Sequence, residues 1–376
     1  MAKLNTTANG KYFLGPLGFE FPKSVSRDSQ IYLSPIDVTI AGVMSWQQID
    51  LIIRESVGTF TRVRTNELAL KKWADQQLGE VQIKVCQRLS ALKIPRIGPK
   101  GVPIEVPHVM AVLNVTPDSF SDGGNYSTPD QAISAGIKMA SYGADIIDVG
   151  GDSTRPKSMQ PSAIIEEERV LPVVRGLVKA GLTVSIDTRR PEVMVKGASE
   201  GAAILNDVSA LYGSEKSIKV VSSLGLPIIL THMQGIPENM QDNPTYNAAP
   251  FDIFDWLETR VLDCQKSGIM SKKIIIDPGI GFGKTLNHNI EILSNLGIFH
   301  GLGCPICIGV SRKSFIGNLG KENNPKRRLA GSLAAMLHCV KEGVQIIRVH
   351  DVKETVQALS VYRSIKQRFP DQRQGN

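Results

Sequence analysis

From His108 to Asp351 the chain repeats one pattern: a short β-branched apolar run, a polar turn bearing Gly or Asp, then a stretch of helical periodicity. The runs occupy 108–115 (HVMAVLNV), 144–150 (ADIIDVG), 183–187 (TVSID), 203–207 (AILND), 227–233 (PIILTHM), 273–279 (KIIIDPG), 305–311 (PICIGVS) and 346–351 (IIRVHD). Apolar runs without alternation imply strands covered on both faces, as in a parallel sheet joined by helical crossovers such as 130–142 and 327–342. Eight such units in about 260 residues match a closed (β/α)8 TIM barrel, whereas doubly wound open sheets usually have fewer strands. Ahead of the repeat, 46–57 (WQQIDLIIRESV) and 66–92 read as amphipathic helices, and 95–107, with four prolines and two glycines, reads as a linker. The expected fold class is therefore α/β: a (β/α)8 TIM barrel over 108–370, preceded by a small, mostly helical N-terminal region over 1–94 and a linker over 95–107.

Nearly every run ends on a chemically capable side chain: Asn114, Asp148, Asp187, Asn206, His232, Asp277, Ser311, then Arg348 with His350. One Asp at a strand end is ordinary capping or turn chemistry. A series of eight is not, and in a barrel the carboxyl ends of the strands converge on one mouth, where active sites lie.

Composition narrows the class without choosing the chemistry. The 376 residues are 42% hydrophobic and 21% charged, with 34 glycines, which excludes disordered and collagen-like chains. No run approaches the roughly 18 apolar residues of a membrane span, and the opening MAKLNTTANG lacks a signal-peptide core. The formal charge is +7, and residues 1–107 carry 14 basic against 9 acidic side chains. These are scattered, without a Lys/Arg block, so a nucleic-acid partner is not expected. Five cysteines, an odd count in a long chain, suit reduced thiols in a cytoplasmic compartment. Cys304 and Cys307 form a C-x-x-C with no second pair, which favours core packing over metal or redox use.

Four loops carry further candidate chemistry. NVTPDSFSDGG (114–124) places the lone aromatic Phe120 among turn formers, as a lid or ligand wall would. GGDSTRP (150–156) offers close backbone approach, hydroxyls and an Arg to an anion. DPGIGFGKT (277–285) misses the Walker A pattern because Pro278 stands where its first Gly belongs, and it reads G-x-G-x-G rather than the dinucleotide fingerprint. What remains is a tight glycine loop after an Asp that can accept hydrogen bonds from a guanidine-like heterocycle edge. GVSRKSFIG (309–317) is a basic turn where barrels commonly bind anions, and alternation puts Arg348 and His350 on one face.

VLNVTPDSFSDGG, GGDSTRP, SIDT, ILNDVSA, DPGIGFGKT, GVSRKSFIG, RLAGSLAA and IIRVHDVKETV, in this order, resemble the dihydropteroate synthase family over roughly residues 107–366. The resemblance implies condensation of 6-hydroxymethyl-7,8-dihydropterin diphosphate with 4-aminobenzoate in a cytoplasmic homodimer. It implies Mg²⁺ at Asn114, diphosphate contacts from Thr154, Arg155, Arg348 and His350, and a pterin set of Asp187, Asn206, Asp277 and Lys313 flanked by Met233 and Phe282. Phe120, Thr154, Pro156 and Ser314 match the aminobenzoate pocket. Asp122, Phe120 and Arg155 would lie on water-excluding loops, and the catalytic set is Asp122, Arg155, Asp187, Lys313, Arg348 and His350. Asp152 replaces the family's usual Glu, and Thr231 stands where an apolar residue is commoner. Residues 1–107 match no motif and lack the glycine-rich start and D-x-D pair of the preceding pyrophosphokinase. Two alternatives stay open: a corrinoid-dependent pterin methyltransferase, which has no use for the anion set, and a catalytically dead pterin-binding scaffold.

Overall fold

The computed structural model describes residues 13–14, 20–41, 43–56, 59–115, 128–152 and 161–368. Eight parallel strands form the barrel: β7 (His108–Asn114), β8 (Ile146–Gly150), β9 (Val184–Asp187), β10 (Ile204–Asp207), β11 (Ile228–Thr231), β12 (Ile274–Asp277), β13 (Cys307–Gly309) and β14 (Ile346–Val349). Each pairs with its sequence neighbour, β14 returns to β7, and a parallel bridge between Ile276 and Ile306 closes β12 onto β13. The eight apolar runs are these strands.

The crossover helices are α3 (Pro129–Ser141), α4 (Ala163–Lys179), α5 (Pro191–Ser199), α6 (Ser217–Leu224), α7 (Ala249–Lys266), α8 (Leu286–Ser294), α9 (Ser314–Gly320) with α10 (Leu329–Lys341), and α11 (Val352–Arg368). Local chemistry sets several starts. Thr128, Ser162 and Thr285 accept backbone N–H bonds as N-caps, and Pro129 occupies the first turn of α3, where its missing N–H costs nothing.

Strand alternation sorts the barrel into an outer and an inner population. Residues such as Ile147, Ile186, Leu205, Leu230 and Ile308 pack outward against the helices. Met110, Ile146, Ile204, Ile229, Ile275, Cys307 and Ile346 point inward as an apolar floor with Ile104 beneath. Two residues further along the same inner face stand Asp148, Asn206, Thr231, Asp277 and Arg348. The pleat's period of two thus lifts the chain from floor to polar mouth in one step.

The N-terminal region departs from the mostly helical expectation. It holds a four-stranded sheet, β1 (Phe13–Leu14), β2 (Gln30–Ile36), β5 (Gln48–Ser56) and β6 (Thr59–Thr65), in the order β1-β6-β5-β2, with a small hairpin of β3 (Thr39–Ala41) and β4 (Val43–Ser45). The expected helix over 46–57 is largely β5. Ile49, Ile52 and Ile53 fit helical spacing, yet both faces of β5 are covered, which erases the alternation that marks a strand. The expected helical stretch 66–92 is present as α1 (Glu67–Ala74) and α2 (Gly79–Lys93).

The sheet is the middle of three layers. Ile49, Leu51 and Ile53 face α1 and α2 through Leu70, Trp73, Val85 and Leu89, while Tyr32, Ile52 and Phe60 join Phe251 and Phe254 of α7 in the barrel's own core. Polar clasps frame the second contact: Arg54 with Asp252 at 2.8 Å, Tyr32 Oη donating to Asp255 at 3.0 Å, and Arg88 with Glu258. The segment 95–107 is anchored. Arg96, fully buried, donates to the carbonyls of Ala91, Ile94 and His300, and Ile97 bridges to Pro103 before Ile104 seals the barrel floor.

Cys304 and Cys307 are both buried in core positions, and burial pushes the Cys304 thiol up to about 12. Among the described residues no helix is long and apolar enough to cross a membrane.

Candidate functional site

The centre of the mouth is Arg348 at the end of β14. Its Nε donates to Asp148 Oδ2 at 2.7 Å and its Nη2 to Asp187 Oδ2 at 2.7 Å, while Asn206 Nδ2 donates to the same Asp148 oxygen at 3.0 Å. Four strands, β8, β9, β10 and β14, are thereby tied through one guanidinium. The two carboxylates hold Arg348 firmly in its charged form against the effect of burial. Burial pushes Asp187 up to about 8, with Asp148 adding to the rise and Arg348 opposing it. Asp148 Oδ1 is buried without a protein partner among the described residues, an orphan that polar matter in the mouth would satisfy.

Asp277 ends β12, and its Oδ1 accepts the Gly279 N–H at 2.7 Å. Burial raises its pKa, opposed mainly by Lys313. The loop that follows turns through Gly279, Gly281 and Gly283 at φ of 72°, 85° and 57°. A Cβ on Gly279 would lie 1.9 Å from the His232 carbonyl oxygen, and one on Gly281 would lie 3.1 Å from Lys313 Cδ. The G-x-G-x-G spacing is therefore a demand of close approach, independent of any phosphate. Phe282 is carried at the loop's apex, and Lys313 Nζ stands 4.5 Å from its ring centre while donating to the Ile280 carbonyl. Burial brings Lys313 down to about 8.

Lys313 is aimed by the turn before α9. Arg312 takes φ of 60°, its N–H reaches Ser332 Oγ at 2.9 Å, its side chain pairs with Asp351, and Arg328 grips its carbonyl at 2.9 Å. Ser314 opens α9 and is exposed. Ser311 Oγ accepts the His350 N–H at 3.2 Å and lies 3.1 Å from His350 Nδ1. The Ser311 hydroxyl, with one proton and two lone pairs, can meet Nδ1 in either neutral tautomer, so the contact holds the ring in place whichever nitrogen carries the proton. Burial, with Arg312 and Arg348, brings His350 down to about 3 and keeps it neutral.

Asp187, Asn206, Asp277, Lys313 and Arg348 thus meet at the carboxyl ends of their strands, with Phe282 beside Lys313. Met233 is half-buried just past β11. Asn114 ends β7, and a Cβ on Gly150 would lie 3.3 Å from its Oδ1 and 3.7 Å from Asp187 Oδ2. Phe120, Asp122, Thr154, Arg155 and Pro156 lie outside the described residues. The ends of the 153–160 segment are fastened: Arg189 reaches Asp152 at 3.2 Å, and Arg190 binds the Pro161 carbonyl and Glu166. The shorter side chain at 152 is met by Arg189.

Two further side chains complete the site. Asp148 stood in the strand-end series without a role, although its position two residues beyond the floor residue Ile146 puts it inside the barrel. Lys284 has no role in the strand-end series or the family motifs, yet its Nζ lies 2.9 Å from His232 Nδ1 in the wall of the site.

A family model described as pterin binding enzyme matches residues 110–350. Dihydropteroate synthase of Escherichia coli (strain K12) is 43% identical over 256 residues, covering 68% of this chain and 90% of its own length. The Neisseria meningitidis serogroup B enzyme of that name is 42% identical over 268 residues, 70% of this chain and 94% of its own length. Among solved structures, Xanthomonas albilineans dihydropteroate synthase with 4-aminobenzoic acid has a TM-score of 0.68 at 39% identity, over 73% of this chain and 99% of that one. The same enzyme in complex with 7,8-dihydropteroate has a TM-score of 0.65 at 37% identity, over 72% and 99%.

Proposed function

The chain belongs to the dihydropteroate synthase family of pterin-binding enzymes, and we propose that the strand-end cluster around Arg348 is its pterin diphosphate site. The enzyme condenses 6-hydroxymethyl-7,8-dihydropterin diphosphate with 4-aminobenzoate, giving 7,8-dihydropteroate and diphosphate. The observation that carries the site assignment is the hydrogen-bonded cluster of Asp148, Asp187, Asn206 and Arg348 at the barrel mouth, with Asp277 within electrostatic reach of both Arg348 and Lys313 of the neighbouring turn.

Asp187, Asn206 and Asp277 offer acceptors and an amide to the donor-rich edge of the pterin, Lys313 a donor to its carbonyl, and Met233 and Phe282 apolar walls. Asp148 and Asp187 fix the plane of the Arg348 guanidinium, so its remaining N–H groups have one direction in which to meet the diphosphate. The neutral His350 ring adds a polar contact beside Arg348. From the segments outside the described residues, Thr154 and Arg155 would join the diphosphate contacts. Phe120, Thr154, Pro156 and Ser314 would hold the aminobenzoate, and Asp122 and Arg155 would help exclude water.

The bond from the pterin methylene carbon to the diphosphate oxygen breaks first, leaving its electron pair on the leaving group and a cation delocalised over the ring. Asp187 and Asp277 favour that cation, and Arg348 and His350 favour the departing charge. The aromatic amine then attacks the carbon and loses a proton, with no covalent enzyme intermediate. Asn114 fits a Mg²⁺ contact because its amide oxygen sits at the mouth beside Gly150, and a Mg²⁺ shared with a diphosphate and waters needs few protein oxygens. When bound, the ion supplies charge neutralisation at the diphosphate.

We further assign 1–94 to an accessory unit, 95–107 to a connection and 108–370 to the catalytic barrel of a cytoplasmic homodimer, the resemblance supporting the dimer and five free thiols a reducing compartment. Calorimetry tests the pterin site: Lys313→Ala and Asp277→Ala each abolish pterin binding, and unchanged affinity in either sinks its assignment.

A further inference from the structure

Lys284, at the end of the glycine loop, takes no part in the chemistry described above, yet it is 3% exposed. Its Nζ lies 2.9 Å from His232 Nδ1 and donates to the carbonyls of His232 at 3.2 Å and Phe282 at 2.8 Å. An ammonium has three donors and no acceptor, and three acceptors surround this one. If Lys284 gives up its proton, the neutral amine accepts a hydrogen bond from the Nδ1–H tautomer of His232, which burial keeps neutral, and still serves both carbonyls. All three contacts hold in either protonation state, so the latch does not depend on where that proton sits. Burial and Lys313 draw the Lys284 pKa down while Asp277 draws it up. A lysine that merely filled space here would be replaced at lower desolvation cost by an apolar side chain, so its donors are what the position uses.

The groups it joins belong to different elements. His232 follows β11, with Trp256 of α7 edge-on to its ring at 4.7 Å. Phe282 belongs to the loop after β12, which Tyr246 also grips by donating to the Gly283 carbonyl at 2.8 Å. A Cβ on Gly279 would stand 3.3 Å from Lys284 Nζ, so the loop runs flush over the latch. The same loop fixes Asp277 through the Gly279 N–H and carries the ring beside Lys313.

We propose that Lys284, latched by His232, is a positioning residue for the pterin half of the reaction: it clasps the 279–283 loop to the end of β11, so that Asp277, Phe282 and Lys313 form one fixed wall. The proposal rests on the assignment of Asp277 and Lys313 to the pterin site. It is tested by steady-state kinetics of the full chain carrying Lys284→Met or Lys284→Gln, with each substrate varied separately. In both variants the KM for the pterin diphosphate rises by about tenfold or more while that for 4-aminobenzoate changes by less than about twofold, a split that general loss of structure does not produce. Equal rises in the two constants, or an unchanged pterin KM, overturn it. Should neither lysine variant fold, His232→Leu decides. It takes away the side-chain acceptor of the latch, leaving only the two carbonyl contacts, without emptying the lysine site, and raises the pterin KM by about threefold or more at unchanged 4-aminobenzoate KM, whereas no change in the pterin KM overturns the proposal. Asp277→Ala is titrated with pterin alongside. If it binds normally the pocket assignment has failed, and if it loses pterin while the Lys284 variants behave as the parent, only the positioning role has failed.

Discussion

Arg348 holds Asp148 and Asp187 within reach of one guanidinium, and the cost of that arrangement falls on Asp187. Its carboxyl is raised to about 8 in the folded chain, chiefly by burial, against about 4 when unfolded. The stability this group contributes is full below the unfolded value and is lost as pH rises toward about 8, because the unfolded chain gives up the proton first. Asp187→Asn removes the linkage. The melting temperature of the variant relative to the parent therefore climbs between about pH 4 and pH 8, while turnover falls by more than about 100-fold because the amide, unlike the carboxyl, cannot give up a proton to meet the developing cation. A constant difference in melting temperature across that range contradicts the account. Lys313 titrates in the opposite sense. Burial brings it down to about 8, so a pterin contact that needs the ammonium is lost as pH rises through that value. Calorimetric affinity for pterin falls above about pH 8 in the parent and holds to higher pH in Lys313→Arg, whose guanidinium stays charged. A flat parent profile up to pH 10 would contradict the role. At this scale the sequence displayed the strand-end side chains but not their partners: that Asp148 serves Arg348 and that Lys284 meets His232 are facts of barrel closure, which brings together residues 200 and 52 positions apart.

The loop after β12 shows how an element can be legible for one reason and used for another. Its glycines were readable as punctuation, and its failure to match either phosphate motif was readable too. The structure supplies the cause, a backbone pressed against the His232 carbonyl and the Lys313 stem. Gly279→Ala puts a Cβ into that carbonyl at an unfavourable φ, and about 3 kcal/mol or more of destabilisation is expected, with pterin binding lost. Chemical denaturation checks it, and a loss under about 1 kcal/mol contradicts the close approach. The barrel strands were legible because eight repeats of one pattern reinforce each other. The strand β5 was not. Buried on both faces between α1/α2 and α7, it shows no alternation, and its isoleucines fall at helical spacing by coincidence.

For the molecule as a whole, the catalytic barrel could be read from the chain, whereas of the appendage only the helices α1 and α2 could. A barrel announces itself by repetition and by polar residues at equivalent positions, whereas a single sheet-and-helix layer of under 100 residues has no internal repeat to average over. The appendage is continuous with the enzyme: Tyr32, Ile52 and Phe60 belong to the barrel's core, and Ile104 seals its floor. Its excess of basic residues is partly spent on this docking, through Arg54 and Arg88 on α7 and the buried Arg96. A coupled assay for diphosphate release by the full chain with Mg²⁺ present tests the reaction most directly. Release from the pterin diphosphate that depends on 4-aminobenzoate and yields dihydropteroate in equal amount is the expected result. No release, or release indifferent to 4-aminobenzoate, would contradict it.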